Sequence, residues 1–493
     1  MTQRRGLATT LAAGALLLSS CSGDSPSDPS ATAPASPTES GTVVDDVAAP
    51  TAPDDDDLDL GVSEPREDSY YPDVGDPGID ALHYGLSLRW DPAALLLSAR
   101  ERLTFRAAET DEEFQLDFGE DLEITELSVD GEAAEWVQEG KDLVVDHAVE
   151  EDRRYVLELT YSGLPDPVEV PVHRTDFTRT GWTVSDGGGT WTMQEPFGAY
   201  TWYAVNDHPS DKALYDFTLA VPSPWSGVAN GELLEESDDG DLRTTTWHLA
   251  EPAASYLVTT AFDDYEMTRD ESASGVPITY WTPRSDPKTL QRLKVTPEAM
   301  AWLEDLLGPY PFDTFGTVVV DSESGMETQT MVTLGDTRYT LSSPVIVHEL
   351  AHQWYGDQVT PNDWRDVWMN EGMVMYLQGM WEAEQKGIPV AAQMDEWAQF
   401  EESLRKEAGP PAAYFPDYFG SSNIYYGPAL MFHELREIVG DERFFTMVRG
   451  WPAANDNANA DREGFLAYME ESTGEELSAF FDAWLLGETT PPR

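Results

Sequence analysis

The sequence predicts an α+β protein of several domains, in which an antiparallel β domain precedes a mostly helical domain. Over residues 70–264, apolar and polar residues alternate in short runs between turn residues, which is typical of antiparallel strands. From about residue 267 the apolar residues recur at helical spacing instead. The 493 residues suffice for two or three domains with cores of their own.

The first twenty residues have the pattern of a secretory signal. An arginine pair precedes an apolar run over residues 7–18, which is shorter than the about 20 residues that a membrane-spanning helix needs. The run leads into "LSSC", which resembles the lipoprotein box of bacteria. We therefore expect residues 1–20 to be removed and Cys21 to be lipidated, so that the secreted protein is anchored to the outer face of the cell membrane. The alternative is an ordinary signal peptide in which Cys21 is incidental.

Residues 21–69 are predicted to form a disordered, acidic tether. The segment consists mainly of Ser, Pro, Ala, Thr and Asp, has no aromatic residue, and contains four consecutive aspartates at 54–57. Such a composition cannot bury enough apolar surface to offset the loss of chain entropy on ordering.

The charge balance excludes one class of partner. Lysine and arginine total 29 against 92 aspartates and glutamates, a net charge of -63. So acidic a surface repels nucleic acid, and no nucleic-acid partner is expected. Cys21 is the only cysteine, which excludes an intrachain disulfide and a thiolate metal site.

Local patterns predict the elements of each domain. In the β domain, residues 70–265, strands are predicted at 83–90, 113–118, 124–131, 153–163 and 215–222. In the second domain, residues 266–493, helices are predicted at 287–308, 363–387, 425–440 and 462–474. A further helix is predicted to begin at Pro344, with Ser343 as its cap.

The helix that begins at Pro344 carries a candidate zinc site. His348, Glu349 and His352 form the pattern H-E-x-x-H, in which residues four apart share a helix face, so that both imidazoles can bind one ion. Catalytic zinc takes three protein ligands. The metzincin pattern would need glycine and histidine where Tyr355 and Gln358 stand, and it is therefore excluded.

A carboxylate on the next predicted helix is the candidate third ligand. Eighteen residues separate His352 from Glu371, which lies in "WMNEG". A glutamate on a neighbouring helix can complete a site of two histidines and one carboxylate. The other ring nitrogen of each histidine also needs a partner, and Asp366 is a candidate for that position.

Taken together, these motifs resemble the gluzincin aminopeptidases, the family of aminopeptidase N. "HELAHQWYGD" is followed by "WRDVWMNEG" at the family spacing, and "SGMET" at 324–328 resembles the family motif G-x-M-E-N. "NDHPSDKALYDFTLAVP" resembles the signature of the N-terminal domain, and "IYYGPALMFHELR" resembles the stretch that bears the catalytic tyrosine. The resemblance extends from about Tyr70 to the C-terminus.

The resemblance implies a fold and a reaction. Residues 266–493 would form a thermolysin-like zinc peptidase domain, in a short two-domain form of the family. One Zn²⁺ would be held by His348, His352 and Glu371. Glu349 would act as general base, and Tyr425 would donate a hydrogen bond to the oxyanion.

The resemblance also implies how the substrate is held. Glu327 of the "SGMET" motif and Glu195 of "MQEPFG" would bind the α-ammonium group of a peptide with a free N-terminus. Gly325 and Met326 would form an edge strand whose backbone pairs with the peptide. The expected partners are therefore peptides, and the expected enzyme is a zinc aminopeptidase.

This sequence departs from the family pattern at several positions. Thr328 stands where the motif has asparagine, and residues 373–375 replace the usual aromatic and small residues. Gly427 and Pro428 stand where the family has a basic residue and a glycine. Anchoring on Ala429 assigns the catalytic tyrosine to Tyr425 rather than to Tyr426.

Two other functions are consistent with parts of this pattern. A thermolysin-type endopeptidase shares H-E-x-x-H and a downstream glutamate, but it lacks the ammonium site, so Glu327 and the β domain argue against it. A peptide-binding lipoprotein on a degenerate peptidase scaffold would not need a general base, so Glu349 argues against it.

Overall fold

The computed structural model describes residues 47–50, 52–53, 57–284 and 288–493, which belong to one compact unit. The predicted signal peptide and Cys21 lie outside the described residues.

The first part of the chain folds into strands, as the alternating pattern predicts. These are β1 (Ile79–Asp91), β2 (Leu96–Ala107), β3 (Phe114–Asp117), β4 (Leu122–Val129), β5 (Glu132–Ala133), β6 (Glu135–Glu139), β7 (Asp142–Asp146), β8 (Arg154–Gly163), β9 (Val168–Glu169), β10 (Arg179–Val184), β11 (Thr190–Met193), β12 (Lys212–Pro222), β13 (Ser226–Ala229), β14 (Glu232–Asp238), β15 (Leu242–Ala254) and β16 (Thr260–Asp263).

The second part combines a small sheet with helices. Its strands are β17 (Tyr265–Glu271), β18 (Pro277–Pro283), β19 (Phe315–Val320), β20 (Gly325–Met326), β21 (Met331–Gly335), β22 (Thr360–Pro361) and β23 (Asn459–Ala460). Its helices are α1 (Thr289–Leu293), α2 (Thr296–Leu307), α3 (Ser343–Ala351), α4 (Trp368–Lys386), α5 (Val390–Ala408), α6 (Asn423–Val439), α7 (Asp441–Ala454), α8 (Arg462–Thr473) and α9 (Ser478–Leu485).

The β domain is built from layered, largely antiparallel sheets. The largest has the strand order β14–β15–β12–β1–β2–β8–β4–β5, and a second has the order β13–β16–β11–β10–β9. Strands β3, β7 and β6 form a third sheet. The pair β1–β12 is parallel, which is a local exception to the antiparallel prediction.

The sheet of the second domain ends at a short edge strand. Its order is β17–β18–β19–β21–β20, so that β20 lies at the edge, antiparallel to β21. Strand β17 begins at Tyr265, the last residue of the range predicted for the β domain. Helix α4 packs against both α3 and α6 beside this sheet, because each of these helices has an apolar face that it must bury.

Two helix starts differ from the sequence prediction. The predicted helix 287–308 is divided into α1 and α2 at Lys294. Helix α3 begins at Ser343, and Ser342 occupies the N-cap position. Ser343 is thus the first residue of the helix rather than its cap, and its hydroxyl accepts a hydrogen bond from Trp381 Nε1 at 2.5 Å.

The folded part of the chain begins at an earlier residue than the sequence predicts. A 3-10 turn, Leu58–Gly61, lies on β1 and β12, and the buried Asp68 carboxylate accepts a hydrogen bond from Trp364 N at 2.7 Å. The segment predicted as a tether, 21–69, is therefore part of the body over residues 58–69. Composition does not reveal this packing, because hydrogen bonds to acidic side chains hold the segment.

The two domains share buried contacts. Lys212 on β12 is buried, and its Nζ donates to the carbonyl oxygen of Asp357 at 2.8 Å. Asn230 Nδ2 donates to the carbonyl oxygen of Gln329 at 2.6 Å. One apolar cluster also includes side chains of both domains, among them Trp364 of the second.

Candidate active site

Helices α3 and α4 bring the predicted zinc ligands together. His348 lies on the last turn of α3, His352 occupies its C-cap, and Glu371 lies in the first turn of α4. Glu371 Oε2 is 3.3 Å from His348 Nε2 and 3.5 Å from His352 Nε2. His352 and Glu371 are buried, and the His348 side chain is almost so.

The three ligand atoms fit a zinc ion. Zinc–ligand bonds of about 2.1 Å at tetrahedral angles put neighbouring ligand atoms about 3.4 Å apart, close to the separations of Glu371 from the two imidazoles. Glu371 Oε2 is buried and has no hydrogen-bond partner among the described residues. Burial would raise the pKa of Glu371, but the charges of His352 and His348 outweigh it and lower that pKa. This residue is therefore kept as a carboxylate ligand.

The second nitrogen of His352 bonds to backbone rather than to Asp366. His352 Nδ1 lies 3.0 Å from the carbonyl oxygen of Tyr355, which fixes Nε2 as the atom that faces Glu371. Asp366 instead accepts hydrogen bonds from Trp368 Nε1 and from Arg462 N. The assignment of Asp366 as a histidine partner is therefore wrong.

Glu349 faces the cavity next to Gly325. Burial raises the pKa of the Glu349 carboxyl to about 8, and the carboxylates of Glu327 and Glu371 add to this effect. A Cβ added at Gly325 would lie 2.8 Å from Glu349 Oε1. The glycine thus leaves the room in which this carboxylate sits, at the edge strand β20.

Glu327 and Glu195 form an acidic cluster with Glu371. One carboxylate oxygen of each lies within 4.8 Å of those of the other two, and all three side chains are buried. Neither Glu195 Oε1 nor Glu327 Oε1 has a hydrogen-bond partner among the described residues. Burial and the charge of Glu327 raise the pKa of Glu195. A cationic group of a ligand would relieve this repulsion.

A buried glutamine holds the Glu327 segment against α3. Gln353 Nε2 donates to the carbonyl oxygen of Glu327 at 3.2 Å and to Asp357 Oδ2 at 2.6 Å. Gln353 Oε1 accepts from Thr330 N at 2.9 Å. The residue directly after His352 therefore fixes the position of an acidic residue that faces the zinc ligands.

The two adjacent tyrosines of α6 have different surroundings. The Tyr425 ring lies 6.0 Å from the His348 ring, at an interplanar angle of 24°. The Tyr426 ring packs edge-on against Trp397, with ring centroids 5.2 Å apart. Both line the cavity, but Tyr425 is the one beside a predicted zinc ligand.

Packing explains the Gly427 and Pro428 departures. A Cβ at Gly427 would lie 3.1 Å from Pro411 Cγ and 3.3 Å from Glu401 Oε1, so that a side chain there would need these neighbours to shift by a few tenths of an ångström. Pro428 packs on Gly372, where an added Cβ would come within 2.3 Å of the proline Cβ. This close approach of α6 to α4 brings Tyr425 near Glu371.

Thr328 takes part in a local hydroxyl network. Its Oγ1 donates to the carbonyl oxygen of Met331 and lies 3.0 Å from Thr333 Oγ1, which in turn lies 3.1 Å from Thr259 Oγ1. The threonine therefore stabilises the turn between β20 and β21 and does not face the ligands of the site.

The cavity around these residues has a volume of about 550 Å³. It contains a residue that the sequence analysis missed, Arg174, which lies between β9 and β10. No motif surrounds this arginine, so only its position in the fold identifies it. Glu195, Glu327, Glu349 and Glu371 line the same cavity.

Comparison with known families agrees with this geometry. Residues 80–257 match the Peptidase M1 N-terminal domain, and residues 291–484 match the Peptidase family M1 domain.

Curated relatives are about a quarter identical to this chain over the residues that align. The chain is 26% identical over 336 residues to Aminopeptidase N of Streptomyces lividans, across 61% of this chain and 38% of that protein. It is 26% identical over 260 residues to Glutamyl aminopeptidase of Rattus norvegicus, across 49% of this chain and 27% of that protein. The match thus spans less than half the length of these relatives.

Solved structures match over more of their length. The M1 zinc metallopeptidase of Deinococcus radiodurans is 26% identical, with a TM-score of 0.77, covering 86% of this chain and 98% of that one. A mutant of that metallopeptidase, with a TM-score of 0.75 and the same identity and coverage, was solved with a Tyr-Ser-Ala substrate bound.

Proposed function

The chain belongs to peptidase family M1, and on that basis we propose that it is a zinc-dependent aminopeptidase that removes N-terminal residues from peptides. The observation that carries this proposal is the pair Glu195 and Glu327. Both are buried in the same cavity as H-E-x-x-H, and the Oε1 atom of each has no hydrogen-bond partner in the part of the chain that the structure describes. An endopeptidase cleaves within a chain and does not need a site for an α-ammonium group at this position. The tripeptide bound to the Deinococcus radiodurans relative supports a peptide substrate.

The ligand set suits a single zinc ion held by His348, His352 and Glu371. When bound, the ion supplies Lewis acidity that polarises the scissile carbonyl and a water molecule. The other two acidic groupings in the cavity consist mainly or wholly of carboxylates, which are less suited to zinc.

Other residues around this site bind and orient the substrate. Glu195 and Glu327 bind the α-ammonium group of the substrate and so set the distance from the chain end to the scissile bond. The backbone of β20 pairs with the peptide, because this strand lies at the sheet edge. Together they orient the carbonyl toward Glu349 and Tyr425.

Glu349 transfers a proton, and Tyr425 stabilises the negative charge that develops. Glu349 accepts a proton from the attacking water as the new carbon–oxygen bond forms, then gives that proton to the leaving nitrogen as the carbon–nitrogen bond breaks. The Tyr425 hydroxyl donates a hydrogen bond to the oxygen that becomes negatively charged.

A matched pair of peptides tests this function. A peptide with a free N-terminus should be hydrolysed one residue at a time, and the same peptide with an acetylated N-terminus should not, because Glu195 and Glu327 would then face no positive charge. Phenanthroline should abolish hydrolysis, with rescue by added zinc. Equal turnover of both peptides would favour an endopeptidase instead.

We further propose that the protein works outside the cytoplasm, anchored by a lipid on Cys21. The support is the signal pattern and "LSSC" at its end. Within the described residues, none of the helices combines the length and apolarity that crossing a bilayer requires. Replacing Cys21 by Ser should move the protein from the membrane fraction to the secreted fraction, and unchanged partitioning would overturn the proposal.

A further inference from the structure

A loop of the β domain packs against the segment that leads into α6. Phe419 N donates a hydrogen bond to the carbonyl oxygen of Pro171 at 3.2 Å. The ring of His173 stacks on that of Tyr418, with centroids 3.9 Å apart and an interplanar angle of 22°. The loop between β9 and β10 is therefore fixed to the residues that come just before Tyr425.

This loop carries a guanidinium group into the cavity. Arg174 is next to His173, and its side chain is held by Asp176, with Nη2 to Oδ2 at 2.8 Å and Nε to Oδ1 at 3.3 Å. Burial would lower the pKa of Arg174, but Tyr425, Asp176 and Glu371 raise it. A Cβ built on Gly420, in the segment that leads into α6, would lie 3.6 Å from both Cδ and Nη1 of Arg174, and the side chains of Arg174 and Tyr425 line the same cavity.

No residue of α6 itself supplies such a charge near Tyr425. The basic side chains of this helix are His433 and Arg436, two or more turns further along. Position 427 is a glycine, and a Cβ there would lie 3.1 Å from Pro411 Cγ, so that a side chain would fit only if its neighbours shifted. Among the described residues that line the cavity, Arg174 is the one lysine or arginine.

We propose that Arg174 is a positioning residue for Tyr425, supplied by the neighbouring domain. Its charge orients the phenol toward the scissile carbonyl and favours the negative charge that develops there. Beside buried carboxylates such as those of Glu327 and Glu371, a fixed cation has a larger effect than it would in bulk water. This proposal rests on the proposed aminopeptidase function and on the role of Tyr425 in it.

The main alternative is that Arg174 binds the substrate directly, at a peptide carbonyl or a carboxylate. A double-mutant cycle separates the two roles. Arg174→Met and Tyr425→Phe are made singly and together, and kcat, KM and zinc content are measured with an aminoacyl substrate. Arg174→Lys keeps the charge, and Arg179→Met is the matched control, because Arg179 pairs with Asp166 on the surface.

We expect Arg174→Met to lower kcat about 10- to 100-fold, with zinc content unchanged and KM within about threefold of wild type. Arg174→Lys should recover part of the loss, and Arg179→Met should behave as wild type. In the Tyr425→Phe background, Arg174→Met should lower kcat by less than about threefold further, because the tyrosine hydroxyl through which Arg174 acts is already absent.

A binding measurement gives a second readout. Affinity for a phosphonate dipeptide analogue, which mimics the tetrahedral state, should fall in Arg174→Met by about the same factor as kcat/KM. Affinity for the product amino acid should not change.

Additive losses in the double variant, or a raised KM with normal kcat, would overturn the positioning role in favour of direct substrate binding. These results differ from a failure of the proposed function. In that case the wild type would not hydrolyse the substrate, or Tyr425→Phe would have wild-type activity.

Discussion

At the scale of single residues, Gly325 determines where the side chain of Glu349, the proposed general base, can lie. The nearest atoms to a Cβ at this position would be Glu349 Oε1 at 2.8 Å and Leu334 Cδ2 at 3.2 Å. Glu349 Oε1 is the end of a flexible side chain, so that a methyl group would displace the carboxylate rather than the backbone.

We expect Gly325→Ala to lower kcat with little change in stability. A displacement of about 1 Å in a reacting group can cost about 100-fold in rate. Zinc content and the urea midpoint should remain near those of wild type. Gly187→Ala is the control, because the nearest atom to a Cβ there is Ser185 Oγ at 3.7 Å. Loss of zinc in Gly325→Ala would contradict this explanation.

We expect substitution of the two adjacent tyrosines to have very different effects on kcat. Removal of one oxyanion donor typically costs about 100- to 1000-fold in kcat, and we expect this loss from Tyr425→Phe, with little change in KM or zinc content. Tyr426→Phe should stay within a few-fold of wild type, because its ring packs on Trp397. The reverse order of effects in steady-state kinetics would show that Tyr426 is the donor.

The residues that sequence analysis identified are those with motif spacing, and the residues it missed have none. His348, Glu349 and His352 are fixed by one helix, and the order of motifs identified Glu371. Arg174 was missed because its proximity to Tyr425 depends on the packing of two distant loops. Asp366 was misassigned because spacing along the chain does not show that its carboxylate turns toward Trp368.

At the scale of secondary-structure elements, a buried ion pair joins α5 to its surroundings. Arg405 Nε donates to Glu401 Oε1 at 2.7 Å, and Arg405 Nη1 donates to the carbonyl oxygen of Gly487 at 2.8 Å. Both charged side chains are at most 2% exposed. The same pair lies against Gly427 of α6, so it also supports the helix that carries Tyr425.

Removal of Arg405 should therefore destabilise the protein strongly. We expect Arg405→Met to lower the free energy of unfolding by about 3–5 kcal/mol, because Glu401 would be left buried without its partner. Lys406→Met, which breaks an exposed pair with Glu402 on the same helix, should cost at most about 1 kcal/mol. Urea unfolding measures both, and equal losses would contradict the argument.

Three neighbouring strands carry a charge cluster that should make stability depend on pH. Asp216 on β12 lies 2.9 Å from His83 Nε2 and 2.8 Å from His248 Nδ1. Burial would raise the pKa of Asp216, but its hydrogen bonds to His248 and His83 outweigh burial and lower that pKa. The hydrogen bond to Asp216 raises the pKa of His248.

The sign of each effect defines the pH window. The Asp216 contribution is present above its unfolded pKa of about 3.9 and is lost as pH falls below it. The His248 contribution is present below about 6.5 and is lost as pH rises through its higher folded pKa. The stability difference between wild type and Asp216→Asn should therefore be larger at about pH 5 than at about pH 8.5 in urea unfolding. A difference that grows with pH would contradict this assignment.

Elements were predictable where the pattern was strong and local. The alternation in β1, β8 and β12 and the apolar stripes of α4 and α8 identified them correctly. The parallel pairing of β1 with β12 could not be predicted, because it joins residues more than a hundred positions apart. The break between α1 and α2 is marked by Pro297, which lies in the first turn of α2 and which the prediction of a single helix over 287–308 did not take into account.

At the scale of the whole molecule, the net charge of -63 opposes compactness. We expect the melting temperature to rise as NaCl increases from about 0.01 M to about 0.1 M, because the Debye length falls from about 30 Å to about 10 Å. KCl should act in the same way, since screening does not depend on a specific cation site. A melting temperature that falls steadily with salt would contradict this expectation.

Buried hydrogen bonds join the two domains across their contact. Lys212 and Asn230 of the β domain both donate to carbonyl oxygens of the other domain. The domains could separate only by breaking such bonds. We therefore expect the two domains to move as one body, so that a bound ligand changes side-chain positions within the cavity rather than the angle between the domains.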